Sequence, residues 1–133
     1  MPFISITRLR VRSPWYLPSF FWHAIRSKTQ AKKAAGNLGI ALLTDAKLTF
    51  WTKSAWTDQA AMRAFMLSGP HRTAMPVLMD ICDEASLVDW TQESAALPDW
   101  KEAHRRLVAE GRRSKVRHPT PAHDAFEIPP PRV

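Results

Sequence analysis

A chain of 133 residues makes one domain with room for one real core, and its 45% hydrophobic and 23% charged residues exclude wholesale disorder. No apolar run reaches the roughly 18 residues of a membrane-crossing helix, and a single cysteine, Cys82, excludes an intrachain disulfide and a cysteine-rich metal site. The net charge of +7 is uneven, because residues 1–100 hold 11 Lys/Arg against 8 Asp/Glu while residues 101–133 hold 8 against 4.

Phe3 to Arg12 sets Ile4 and Ile6 against Ser5 and Thr7, which is strand period. This start lacks the long apolar stretch and small-residue cleavage site of a signal peptide, so a cytoplasmic location is expected. Ser13-Pro14 ends the strand and opens a helix, with serine as cap and proline at the first position. Leu17, Phe20, Phe21, Ala24 and Ile25 form its stripe, and Gly36 is the natural stop. Asn37 to Thr44 and Lys47 to Trp56 read as a hairpin turning at Asp45-Ala46. Thr57 or Asp58 caps a helix striped by Met62, Phe65 and Met66, which Gly69-Pro70 breaks. A second short helix presents Met75, Leu78, Met79 and Cys82 on one face.

Ala85 to Gln92 reads as the fourth strand. Asp99, with Glu102 three residues on, resembles a capping box for a last helix whose stripe is Trp100, Ala103, Leu107 and Val108. Beyond Gly111, four basic residues precede five prolines between Pro119 and Pro131. This gives a domain over residues 1–111 and a basic, proline-rich tail over 112–133 without secondary structure. Ala125, Phe126 and Ile128 could still dock it on a groove.

The order βαββαβ with an extra C-terminal helix predicts a ferredoxin-like α+β fold, an antiparallel sheet with helices on one face. Leu38 to Leu43 and the Phe50-Trp51 pair do not alternate as half-exposed strands should. A homodimer through the sheet faces, leaving a lined cavity, is the expected way to hide them.

Several segments then carry a resemblance. They are Phe21-Trp22-His23-Ala24-Ile25-Arg26, Ala35-Gly36-Asn37-Leu38-Gly39, Thr49-Phe50-Trp51-Thr52 and Trp56-Thr57-Asp58 leading to Met62-Arg63-Ala64-Phe65. The most distinctive is Ser68-Gly69-Pro70-His71-Arg72-Thr73-Ala74-Met75, followed by Asp83-Glu84-Ala85. Over about residues 3–93 the chain resembles the dimeric α+β-barrel superfamily of the antibiotic-biosynthesis monooxygenases, nearest its spheroidene-monooxygenase-like branch and related uncharacterised small proteins. The resemblance implies a homodimer and a pocket between sheet and helices. It implies no catalytic set, because the fold hosts oxygenases, haem-handling enzymes, isomerases and proteins without a known reaction.

His71 is the candidate catalytic residue. In the first turn of a helix opened by Pro70, the dipole's positive end favours a neutral imidazole able to accept a proton, bind haem iron or hold a substrate. Gly69 and free N–H groups there suit an anion. The alternative is a helix break beside a structural histidine. His23 and Arg26, one turn apart, and Arg72 are candidate ligand contacts, with a solvated helix edge as the alternative for the first two. Trp22, Trp51, Trp56 and Trp90 could line an aromatic cavity or be plain core. The internal methionines read as packing, and no residue set has metal-ligand spacing.

Three functions stay open. One is a monooxygenase-like enzyme acting on an apolar aromatic or isoprenoid molecule. Another is a haem-binding protein with His71 as axial ligand, and the third is a non-catalytic small-molecule-binding dimer. The cofactor is none or haem. Nucleic-acid binding through the tail ranks last, since no aromatic platform accompanies its basic residues.

Overall fold

The computed structural model describes residues 1–133. Five strands form: β1 (Phe3–Val11), β2 (Asn37–Thr44), β3 (Thr49–Trp56), β4 (Cys82–Thr91) and the two-residue β5 (Arg112–Arg113). They make one sheet in the order β2-β3-β1-β4-β5, antiparallel throughout. The ferredoxin-like arrangement expected from the element order is the one observed.

The helices start where local chemistry allows. Ser13 Oγ accepts from the Trp15 N–H at 3.4 Å and opens a single 3-10 turn, Pro14–Tyr16, that feeds α1 (Leu17–Lys33). Asp58 caps α2 (Gln59–Met66) by accepting from the Ala61 N–H at 2.8 Å. The next helix, α3 (Gly69–Ile81), runs directly into β4, so Cys82 opens the strand rather than closing the helix. A buried Cys82 satisfies both periods, which is why the strand begins three residues earlier than the alternation suggested.

α1 ends at Lys33, short of Gly36, yet Gly36 is the residue that permits the turn into β2. Its φ is +86°, and a Cβ there would lie 2.6 Å from Ala61 Cβ and 2.7 Å from Thr57 Oγ1. Its carbonyl also accepts from the Thr57 N–H at 2.8 Å, tying the start of the hairpin to its end.

Register divides the sheet into two faces. Phe3, Ser5, Thr7 and Leu9 stand opposite Trp56, Ser54, Thr52 and Phe50, and this face is covered by α1, α2 and α3. Ile4, Ile6 and Arg8 stand opposite Ala55, Lys53 and Trp51 on the other face. That second face is covered by the chain itself. α4 (Trp100–Glu110), capped by Asp99, sets Ala103 and Leu107 against Ile4, Ile6, Trp51, Val88 and Trp90. α4 hides the β1, β3 and β4 residues of this face, whereas on β2 Leu38 and Leu42 stay 46% and 40% exposed.

Residues 112–133 are also corrected. They are not a structureless tail but a strap fastened along β4. β5 pairs with Ser86 and Leu87, and the Arg117 N–H donates to the Met79 carbonyl at 2.9 Å. A short helix, α5 (Pro121–Asp124), places His123 so that its Nδ1 accepts from the Ala85 N–H at 3.3 Å. Ile128 packs on the α4-side core and its carbonyl meets His104 Nε2 at 2.8 Å. The prolines remove donors only at their own positions. The intervening backbone groups still find partners on the β4 edge, and Phe126 and Ile128 supply apolar anchors.

Beneath the strap lies a buried ion pair, Arg8 Nη1 to Glu84 Oε1 at 2.8 Å, joined by Thr120 Oγ1 donating to Glu84 Oε2 at 2.8 Å. Burial raises the Glu84 carboxyl, but hydrogen bonds from Arg8 and Thr120 and the charges of Arg8 and Arg10 outweigh it and hold the pKa below the usual value.

Two substitutions test these contacts by urea denaturation. Gly36→Ala should cost about 1–3 kcal/mol through φ strain and overlap with Ala61 and Thr57. Leu107→Ala should cost about 2–5 kcal/mol, the range for a fully buried leucine in a packed core. An unchanged Leu107→Ala protein would mean that α4 does not cover the sheet.

Candidate functional site

A hollow of about 210 Å³ lies between the helix-covered face of the sheet and α1, α2 and α3. It exists because of the strand sequences. At the centre of this face the cross-strand pairs are Ser5 with Ser54 and Thr7 with Thr52, small hydroxyl residues that leave the floor low. Larger pairs, Phe3 with Trp56 and Leu9 with Phe50, stand at either end. The roof is flexible and apolar, built from Met62, Phe65 and Met66 of α2 and Met75, Leu78 and Met79 of α3.

The aromatic residues are ordered along the walls. Phe20 stacks on Phe50 with centroids 4.5 Å apart, and Trp56 stacks on Phe65 at 5.1 Å. Phe65 in turn meets the His71 ring at 4.7 Å, so one aromatic row ends at the imidazole.

His71 is half-buried in the first turn of α3 and lines the hollow. Its Nδ1 lies 3.2 Å from the Met66 carbonyl, an arrangement satisfied when Nδ1 carries the proton and donates. Nε2 is then left with its lone pair. Burial lowers the imidazole pKa below 6.5, and the Met66 hydrogen bond opposes this only in part. The neutral imidazole expected from the helix dipole is thus favoured mainly by desolvation. The free helix N-terminus expected for an anion is not free. Gln30 Oε1 accepts from the His71 N–H at 2.8 Å, and Gln30 Nε2 donates to the Ser68 carbonyl at 2.8 Å.

The other sequence candidates lie elsewhere. Trp22 is 61% exposed on the outer side of α1, with the Arg26 guanidinium 5.3 Å from its ring centroid. His23 and Arg72 do not reach the hollow either. Trp51 and Trp90 belong to the core on the opposite face, where their indole N–H groups donate to Asp45 at 3.1 Å and Gln92 at 2.8 Å. A single position of register separates Trp51 from the hollow, because neighbours along a strand point to opposite faces. Of the four tryptophans considered, Trp56 alone lines it.

Polar groups missed from the sequence are the floor hydroxyls, Ser27, Lys28 and Asp89. Ser27 Oγ is buried and has no hydrogen-bond partner within the chain, so it is available to a bound molecule. Asp89 is paired with Arg112 at 3.6 Å at the edge of the hollow, and Lys28 forms part of the α1 wall. Alternation around Ser5 and Thr7 was visible in the sequence, but nothing in it said that these hydroxyls would face a void rather than water.

No group of three or more His, Cys, Asp or Glu side chains comes together in a metal-binding cluster. Cys82 is no nucleophile, since burial, with Asp83 beside it, pushes its thiol up to about 12.

No family model matches the chain, and no curated protein matches it in sequence. Solved structures do match. Rv0793 from Mycobacterium tuberculosis superposes with a TM-score of 0.65 at 12% identity, over 72% of this chain and 99% of that one. A provisionally assigned antibiotic biosynthesis monooxygenase from Nitrosomonas europaea gives 0.62 at 16% identity, over 69% and 90%. SnoaB, a cofactor-independent oxygenase from Streptomyces nogalater, gives 0.56 at 18% identity, over 74% and 98%. At these identities the likeness establishes the fold alone, the ferredoxin-like α+β arrangement that these proteins share with this chain.

The burial of His71 predicts a pH effect. Near pH 6.5 the unfolded chain takes up a proton on this ring that the folded chain resists, so stability falls as pH drops through that value. Thermal melts of the wild type should lose stability on acidification through this window. His71→Gln should remove that part of the loss, and identical pH profiles would place His71 in water.

Proposed function

We propose that the chain is a monooxygenase-like protein that takes an apolar, flat small molecule into the hollow and uses His71 as its base. The observation that carries this reading is a half-buried imidazole, its Nδ1 3.2 Å from the Met66 carbonyl, at the end of an aromatic row in a mostly apolar cavity. Phe50, Trp56 and Phe65 would hold the planar part. Ser27 and the floor hydroxyls would fix its polar substituents, and the methionine roof would adapt to its outline.

In this reading Nε2 accepts the proton of a CH2 group activated by a neighbouring carbonyl or ring. The resulting carbanion passes electrons to O2. One oxygen atom ends as a carbonyl on that carbon and the other leaves as water, so CH2 plus O2 gives C=O plus H2O without an outside reductant. The chain's own work is to orient the carbon, hold the proton and exclude water. Fold likeness to a cofactor-independent oxygenase supports the reading. The haem-carrier alternative has no comparable support.

Oxygen uptake with anthrone as the probe substrate tests the proposal. Wild-type protein should consume O2 with anthrone and yield the matching quinone. His71→Gln should lower the rate by about 10²-fold or more, the usual contribution of a positioned general base. The wild-type rate should hold steady near neutrality and fall with acid as the imidazole protonates. Binding of anthrone without O2 uptake would leave the chain a binding protein, and undiminished uptake by His71→Gln would remove His71 from the chemistry.

A further inference from the structure

We propose that the outer side of α1, with the Pro14–Tyr16 turn before it, is a docking surface for an anionic lipid bilayer. Four large apolar side chains stand in solvent there: Trp15 is 90% exposed, Ile25 62%, Trp22 61% and Phe21 43%. They follow helical spacing along one side and so form a patch rather than scattered exposures. The same side continues toward the C-terminal end of α1 as Arg26, Thr29, Lys32 and Lys33, all exposed. The surface thus changes along its length from aromatic to cationic.

Charge selects the partner. From Met1 to Thr44 the chain has seven Lys/Arg and no Asp or Glu. Arg26, Lys32 and Lys33 are in no ion pair, although basic residues elsewhere, such as Arg8, Arg105 and Arg112, have carboxylate partners. A second copy docking by the same face would offer these cations no carboxylate, since none lies between Met1 and Thr44. A nucleic acid would meet a convex helix with aliphatic Ile25 at its centre instead of a groove.

A bilayer satisfies both halves. Indole rings settle at the headgroup level, aliphatic and phenyl groups enter the acyl boundary, and lysines meet anionic headgroups. No helix here is long and apolar enough to cross a membrane, so the contact is a surface one. The opposite side of α1, through Phe20, Ala24, Ser27 and Lys28, forms a wall of the hollow. Phe21 bridges the two sides, its ring 5.4 Å from Phe50. A docked α1 would thus have lipid on one side and the cavity on the other.

Flotation of the full-length protein with vesicles tests this, using phosphatidylcholine alone and phosphatidylcholine with phosphatidylserine. The protein should float with the anionic vesicles and stay behind with the neutral ones. Lys32→Gln and Lys33→Gln should each weaken partitioning about fivefold. The double variant Trp22→Ser/Ile25→Ser should lose flotation while melting as the wild type does, because both side chains are exposed. The proposal fails if the wild type does not float, if it floats equally with both vesicles, or if the double variant floats unchanged. It fails equally if Trp22→Ser instead dissolves a dimer, or if a single-stranded oligonucleotide is bound while anionic vesicles are not.

Discussion

Everything in this molecule depends on a sheet that must be dry on both sides. Trp51 and Trp56 lie in one strand, point to opposite faces and are each no more than 1% exposed. Fully burying a large aromatic contributes roughly 1.5–3 kcal/mol, so neither face can be left to water. The first face is closed by α1, α2 and α3, as the βαββαβ order requires. The second is closed by α4, whose Ala103 allows close approach and whose Leu107 fills the space against Ile4, Ile6 and Trp51. The strap over residues 112–133 then covers the part of that face that α4 leaves open.

The two faces are finished by different chemistry. The α4 face is apolar at its centre and ionic at one end, where Arg8, Glu84, Arg10 and Thr120 meet under the strap. A buried ion pair is a weak source of net stability, since desolvating both partners offsets their attraction. Its plainer effect here is on specificity. Glu84 accepts from Arg8 and from Thr120, so the strap fits in one register and a displaced strap leaves a charge without its neutral surroundings.

The helix face is finished incompletely, and that incompleteness makes the candidate site. Ser5, Thr7, Thr52 and Ser54 are too short to reach a methionine-rich roof, so a hollow remains where other sheets have core. A void with a buried, unpartnered Ser27 hydroxyl and an imidazole whose pKa burial lowers is costly for stability, which marks it as a candidate site. Gly69 in the left-handed region, with φ +55°, and Gln30 bridging Ser68 and His71 fix the start of α3, so the imidazole is held by more than its own helix.

The sequence by itself determined the strands, helices and caps, because period, cap chemistry and Gly-Pro breaks act within a few residues. It also singled out His71, whose place after Gly69-Pro70 is local. It did not determine which tryptophans meet the cavity. Their odd spacing sends Trp51 and Trp56 to opposite faces of β3, but only the packing of the helices on the sheet decides which of the two meets the cavity. Nor did it determine what covers the second face. An apolar stripe specifies that it must be buried but not against what, and within one chain α4 and the strap's Ile128 cover Ile4, Ile6, Trp51 and Val88. The strap looked unstructured because its partners on β4 are far away in sequence, 38 residues in the case of Ala85 and His123. Long-range pairing of this kind leaves no local period to read, so tertiary packing alone decided it.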